Sequence, residues 1–197
     1  FLANIGDDQA TANYSPGLAL SADGLSVRVV TKSGDERTDS SNAGILPYGD
    51  QFAAGSEAGW MNYGGAWNVS GGVYNNTSGG NGDKAIAGST GWTDYILNGD
   101  VKVNTAGQAG FLVRASNPAV GGDALNGYYI AVNSGNGMVF CGKENGGWLQ
   151  LGSAPITGGV AVNTWYHITV KAAGSQLTIT AVPSSSTATP TTLTVND

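Results

Sequence analysis

The chain has one cysteine, Cys141, and one histidine, His167, among 197 residues. A single thiol closes no disulfide, so cysteine usage leaves the compartment open. Neither residue has companions for a zinc site, and a lone histidine defines no Ser-His-Asp arrangement. Glutamate is scarce too, occurring only as Glu36, Glu57 and Glu144. The pattern that sets a glycosidase acid and nucleophile on one strand (Glu-X-Asp-X-(X)-Glu) is missing. Asp94 and Asp100 share a strand face by spacing, yet a rise of ~3.3 Å per residue separates them by roughly 20 Å, too far for either glycosidase geometry. No catalytic residue is therefore expected in this chain on its own. Positive charge is short too: 8 Lys and Arg stand against 14 Asp and Glu, a net charge of −6 and a pI near 4.5. Such a field repels nucleic acid and anionic membranes and leaves neutral, polyhydroxylated ligands open. No apolar run approaches membrane-spanning length and no signal peptide is visible, which fits a mature secreted chain or a fragment of one.

Glycine is what the chain has in excess, 32 residues with no three-residue period. Interleaved with Thr, Val, Tyr and Trp, it marks tight turns between short strands rather than collagen. Alternation is clearest over residues 95–104. There Tyr95, Leu97, Gly99, Val101 and Val103 fall on one face, and Asn98, Asp100, Lys102 and Asn104 on the other. This predicts a half-buried antiparallel strand. Further strands are predicted at 111–114, 127–133, 138–142, 148–151, 165–172, 176–182 and 192–195, most of them bounded by Gly and Asn turns. Short strands at such spacing predict an all-β, antiparallel β-sandwich. Within it Cys141 reads as a small buried hydrophobe, and His167 joins the polar face of its strand. Composition shifts at Tyr48-Gly49-Asp50, dividing the chain into a segment 1–47 and a Gly-, Trp- and Tyr-rich sandwich 48–197. In the first segment two apolar runs flank Ser21-Ala22-Asp23-Gly24, a hairpin signal. Two strands are not stable alone, so this segment is expected to pack on the sandwich or to be left from another domain.

From Asp50 onward the motifs form a recognisable series. They are Asp50-Gln51-Phe52, Ala58-Gly59-Trp60, the run from Tyr63 to Gly72, Gly91-Trp92-Thr93-Asp94-Tyr95, Ser116-Asn117-Pro118, Asp123 to Tyr129, and Thr164-Trp165-Tyr166-His167. In this order they resemble the sandwich modules of secreted glycoside hydrolases, the carbohydrate-binding family 66 group, related to laminin-G and concanavalin-A-like folds. The resemblance spans residues 48 to about 183 and implies a jelly-roll (concanavalin-A-like) sandwich. It implies a non-catalytic carbohydrate-binding module that takes neutral glycan. Its partners would be a polysaccharide or oligosaccharide and a catalytic glycosidase domain or chain. Modules of this kind usually close with a strand reading Gly-X-Val-Gly-Leu-Arg. The chain stops at Asp197 without it, so either it is a fragment or residues 1–47 supply that strand. Ser21-Ala22-Asp23-Gly24-Leu25-Ser26 and residues 35–44 resemble sialidase-type propeller sequence. That supports an alternative: part of an exo-acting, propeller-type glycosidase whose catalytic residues lie mainly elsewhere.

Sugars present C–H faces to aromatic rings and hydroxyl pairs to carboxylates, amides and guanidinium groups. The stretch from Arg114 to Trp148 holds this mixture: Arg114, Asp123, Asn126, Tyr128, Tyr129, Glu144 and Trp148. Arg114 follows apolar Phe111, Leu112 and Val113 and needs an acceptor, with Asp123 or Glu144 as the expected partner. Tyr128 and Tyr129 must project to opposite faces. Trp148 opens its strand after Asn145-Gly146-Gly147, where a stacking platform is exposed. Trp60, Trp67, Trp92 and Trp165 are expected in the core. The resemblance also implies a structural Ca²⁺ with Asp50 as first-strand ligand. Sequons at Asn13, Asn68, Asn75 and Asn76 make these candidate glycosylation sites of a secreted, extracellular protein.

Overall fold

The computed structural model describes residues 48–52, 55 and 57–197, together with two short strands, β1 (Leu18–Leu20) and β2 (Val27–Val29). These pair antiparallel with Leu18 opposite Val29, the hairpin that Asp23-Gly24 signals. The propeller-like stretches 21–26 and 35–44, and Asn13, lie outside the described residues. The chain forms two compact units, Phe1–Gly79 with Ala87–Ser89 and Gly80–Ile86 with Thr90–Asp197.

The first unit contains β3 (Met61–Tyr63), β4 (Trp67–Ser70) and β5 (Val73–Asn76). β4 and β5 form a hairpin closed by Gly71-Gly72, at φ of 59° and 73°. Two consecutive positive φ values match the right-handed twist of the strands, and glycine adopts them without a Cβ penalty. Phe52, Trp60, Trp67 and Tyr74 gather beside this hairpin, with ring centroids 5.0–5.7 Å apart. Asp50 orders the approach to the cluster: its Oδ1 accepts from the Phe52 amide at 2.8 Å and its Oδ2 from the Trp60 indole at 3.0 Å.

The second unit holds β6 (Lys84–Ile86), β7 (Tyr95–Lys102), β8 (Gln108–Ser116), β9 (Asn126–Asn133), β10 (Met138–Asn145), β11 (Trp148–Pro155), β12 (Trp165–Ala173), β13 (Gln176–Pro183) and β14 (Thr191–Asn196). It is a β-sandwich. One antiparallel sheet runs β11-β10-β9-β8 and the other β14-β13-β12-β7, so the first meander is inserted between the neighbours β7 and β12. No helix occurs among the described residues. Period-two alternation decides which side chains enter the core. Val113, Ile130, Val132, Val139 and Cys141 from one sheet meet Val101, Tyr166, Ile168, Val170, Leu177, Ile179 and Val195 from the other. Truncating a fully buried isoleucine here to alanine costs about 2–5 kcal/mol.

Two glycines record how closely the layers approach. A Cβ on Gly99 would fall 2.4 Å from Phe111 Cζ, and one on Gly152 would fall 3.1 Å from Leu193 and Val195. The expectation that Trp60, Trp67, Trp92 and Trp165 lie in the core is corrected, because all four are half-buried. Trp60 and Trp67 belong to the aromatic cluster of the first unit. Trp92 packs edge-on against Tyr95, and Trp165 sits beneath the Lys102 ammonium, 5.0 Å from its ring centroid. An indole is large and carries a polar N–H, so partial exposure is its usual compromise.

Candidate functional site

On β10, Val139 and Cys141 point into the core, so Phe140, Gly142 and Glu144 share the opposite, outer face. Across the ladder Gly142 lies opposite Tyr129 on one side and Gln150 on the other, and Glu144 lies opposite Trp148. A bulge between Cys141 and Gly142 sets this register by leaving Leu151 unpaired on β11. Without that extra residue, Trp148 would face the other side of the sheet.

The result is an aromatic trio. The rings of Tyr129, Phe140 and Trp148 meet edge to face, with centroids 5.6–6.4 Å apart, the arrangement their quadrupoles favour. The Trp148 indole lies over Gly142, where a Cβ would fall 2.1 Å from its Cη2. Trp148 remains 40 % exposed, whereas Phe140 is only 5 % exposed. Beside Trp148 is a shallow depression of about 380 Å³, lined also by Lys143, Asn145, Gly147 and Leu149.

Glu144 sits at the end of this face and is 7 % exposed, with its Oε2 making no hydrogen bond. Burial pushes its carboxyl above the usual range, the charge of Asp123 adds to this, and Lys84 draws it back. Burial, reinforced by Glu144, likewise pushes the Tyr129 hydroxyl well up. Lys84 itself is 6 % exposed and donates to the carbonyls of Ala119 and Gly121 at 2.9 and 2.8 Å. Asp123 lies in the β8–β9 loop at φ 55°, and Asn117 in the same loop at 51°.

Of the residues expected to meet ligand, the fold brings Tyr129, Glu144 and Trp148 onto one face, with Asp123 acting electrostatically on Glu144. Tyr128 projects the other way, as the alternation requires, and donates to Asp197 at 2.9 Å, which also holds Lys143 at 2.6 Å. Asn126 opens β9 opposite Ser116 and Asn145. Arg114 departs from expectation. Its partner is neither Asp123 nor Glu144: its Nε donates to Thr93 O at 2.8 Å and its Nη2 to Asp94 at 3.1 Å, while its amide donates to the Tyr95 hydroxyl. The irregularity between Val113 and Ser116, with Arg114 at φ 53°, turns its side chain away from the aromatic face. Lys84, Lys143 and Asn145 were missed. Asn145-Gly146-Gly147 beside Trp148 was the available signal for Asn145, but nothing local marks Lys84, 35 residues from the carbonyl it binds.

A calcium cage takes six to eight oxygens. Both oxygens of Asp50 already accept protein hydrogen bonds, and no group of three acidic, His or Cys side chains gathers among the described residues. Asn68 is exposed, whereas the amide of Asn75 donates to Val73 O and Asn76 Oδ1 accepts from Ala66 and Ser78.

The second unit is thus an antiparallel β-sandwich domain with an aromatic and acidic outer face. The chain belongs to the family of 3-keto-alpha-glucoside-1,2-lyase-like domains, whose sequence profile matches residues 49–187. Its fold is similar to that of the carbohydrate-binding module CBM66 from Bacillus subtilis, with a TM-score of 0.58 and 20 % identity, covering 71 % of this chain and 80 % of that one. The sandwich inferred from the motif series is thus the fold the chain adopts. No curated protein matches it in sequence.

Proposed function

We propose that this chain is a non-catalytic carbohydrate-binding module of a secreted glycoside-active protein, taking a neutral glycan against Trp148. The observation that carries the reading is the Trp148 indole, steadied by Tyr129 and Phe140, laid over Gly142 and still exposed. An exposed, steadied ring offers a flat apolar wall for a sugar's C–H face, and the Glu144 carboxyl opposite it on the same face supplies a hydrogen-bonding group. The similar Bacillus subtilis module is described as carbohydrate-binding, and the family is described by a glucoside substrate. Both support a sugar ligand. The test is affinity electrophoresis across a panel of plant, fungal and bacterial polysaccharides, followed by calorimetry on those retained. Trp148→Ala should weaken binding by about 10-fold or more, since ring contacts contribute roughly 0.5–1.5 kcal/mol beyond the area they bury. Unchanged retention in that variant, or no retention of any glycan by the native chain, would overturn the proposal.

The family's lyase description supports a second reading, in which the domain cleaves a 3-keto-α-glucoside. Glu144, held above the usual carboxylate range, is then the group on this face suited to proton transfer. Product released from such a glucoside by the native chain but not by Glu144→Gln would replace the binding-only reading.

A further inference from the structure

Lys84 and Glu144 are the buried charged side chains among the described residues, and the proposed site does not use Lys84. Lys84 reaches from β6 to the β8–β9 loop, where its ammonium binds the Ala119 and Gly121 carbonyls. The loop bends sharply, with Asn117, Gly121 and Asp123 all at positive φ, and within it the Ala119 amide donates to Ala124 O at 2.7 Å. Two turned-in carbonyls are oxygen ligands of the kind that hard cations take. The segment bearing Lys84 is fitted closely to the loop. A Cβ on Gly82, at φ 79°, would fall 2.5 Å from the Gly122 backbone.

We propose that the Lys84 ammonium is the structural cation of the β8–β9 loop, taking with a side chain the carbonyl oxygens that a hard cation would otherwise bind and thereby fixing Asp123 relative to Glu144. A metal ion would bind these oxygens without N–H donors. An ammonium satisfies two carbonyls by charge-assisted hydrogen bonds and leaves its remaining field to act on Glu144. The opposing influences on Glu144, Asp123 raising and Lys84 lowering its proton affinity, agree with this placement.

Chemical rescue tests the inference without assuming any glycan activity. Lys84→Ala and the volume-matched Lys84→Met are compared with the native chain by amide hydrogen exchange, with the β9 and β12 amides as the check on global folding. Loss of two charge-assisted bonds should speed exchange at the Ala119 amide by about 10-fold or more in both variants. Methylammonium should restore protection in Lys84→Ala, where space has been opened, and not in Lys84→Met, where it has been filled. Tetramethylammonium, which has no N–H, should restore neither. Unaltered loop exchange in both variants would overturn the proposal. So would equal rescue by tetramethylammonium, which would show that the site requires only volume. If Lys84→Ala loses β9 and β12 protection as well, Lys84→Met decides: protection kept at Ala119 in that variant also overturns it.

Discussion

Gly142→Ala is the sharpest test of how the aromatic platform is built. The φ of Gly142 lies outside the left-handed region, so alanine meets no backbone penalty. On its own that substitution should stabilise by about 0.4–1 kcal/mol through the unfolded chain. The obstacle is Trp148. The new Cβ would lie 2.1, 2.3 and 2.6 Å from its Cη2, Cζ2 and Cζ3, against an ordinary contact distance of about 3.5–4 Å. The indole must lift by more than about 1 Å, which breaks its edge contacts with Tyr129 and Phe140. At about 0.5–1.5 kcal/mol for each aromatic pair, that loss is about 1–3 kcal/mol, and the net effect is a destabilisation of up to about 2.6 kcal/mol. In a Trp148→Ala background the obstacle is gone, so the same substitution should change sign and stabilise by about 0.4–1 kcal/mol. Urea unfolding of all four chains, followed by far-ultraviolet circular dichroism, closes the cycle. The expected coupling is about 1–3 kcal/mol. Equal effects of Gly142→Ala in the two backgrounds would refute the stacking of Trp148 on Gly142.

Two further outcomes follow from buried titratable groups. Burial first and Asp123 second raise Glu144 in the folded state, so folding disfavours its ionised form. Native stability should therefore fall as pH rises from the unfolded carboxylate value, about 4.3, through the higher folded value. Glu144→Gln escapes this, so its advantage should be absent below about pH 4 and reach a plateau above the folded pKa. A stability difference that stays constant across that interval contradicts the reasoning. Cys141 is 0 % exposed, and burial, aided by the charge of Asp197, pushes its thiol up to about 12. It should resist an aromatic disulfide reagent at neutral pH until denaturant is added, and rapid stoichiometric labelling of the native chain would show that this part of the core opens.

Much of the sandwich was legible in the sequence because a strand's two faces are written in alternate residues. Tyr95, Leu97, Val101 and Tyr166, Ile168, Val170 declare their side without reference to any partner, and Tyr128 and Tyr129 must part whichever face is the inner one. Gly71-Gly72 likewise declares a turn, since glycine tolerates positive φ at both positions.

The site was legible as a set of residue types and not as an arrangement. That Glu144, Tyr129 and Trp148 share a face depends on strand register and on one extra residue at the β10–β11 bulge, and no local pattern announces a bulge. Arg114 reads as a ligand-facing guanidinium from its apolar neighbours, yet a reversal of φ turns it to Thr93 and Asp94, some twenty residues earlier in the chain. Lys84 is the extreme case, since a lysine among glycines and alanines reads as solvated. Its burial follows from two carbonyls that come within reach only after the β8–β9 loop has folded. Periodicity is a local property and survives in the sequence. The pairing of charges across tens of residues is decided by the tertiary fold, because only there are the acceptors brought together and the water that competed for them removed.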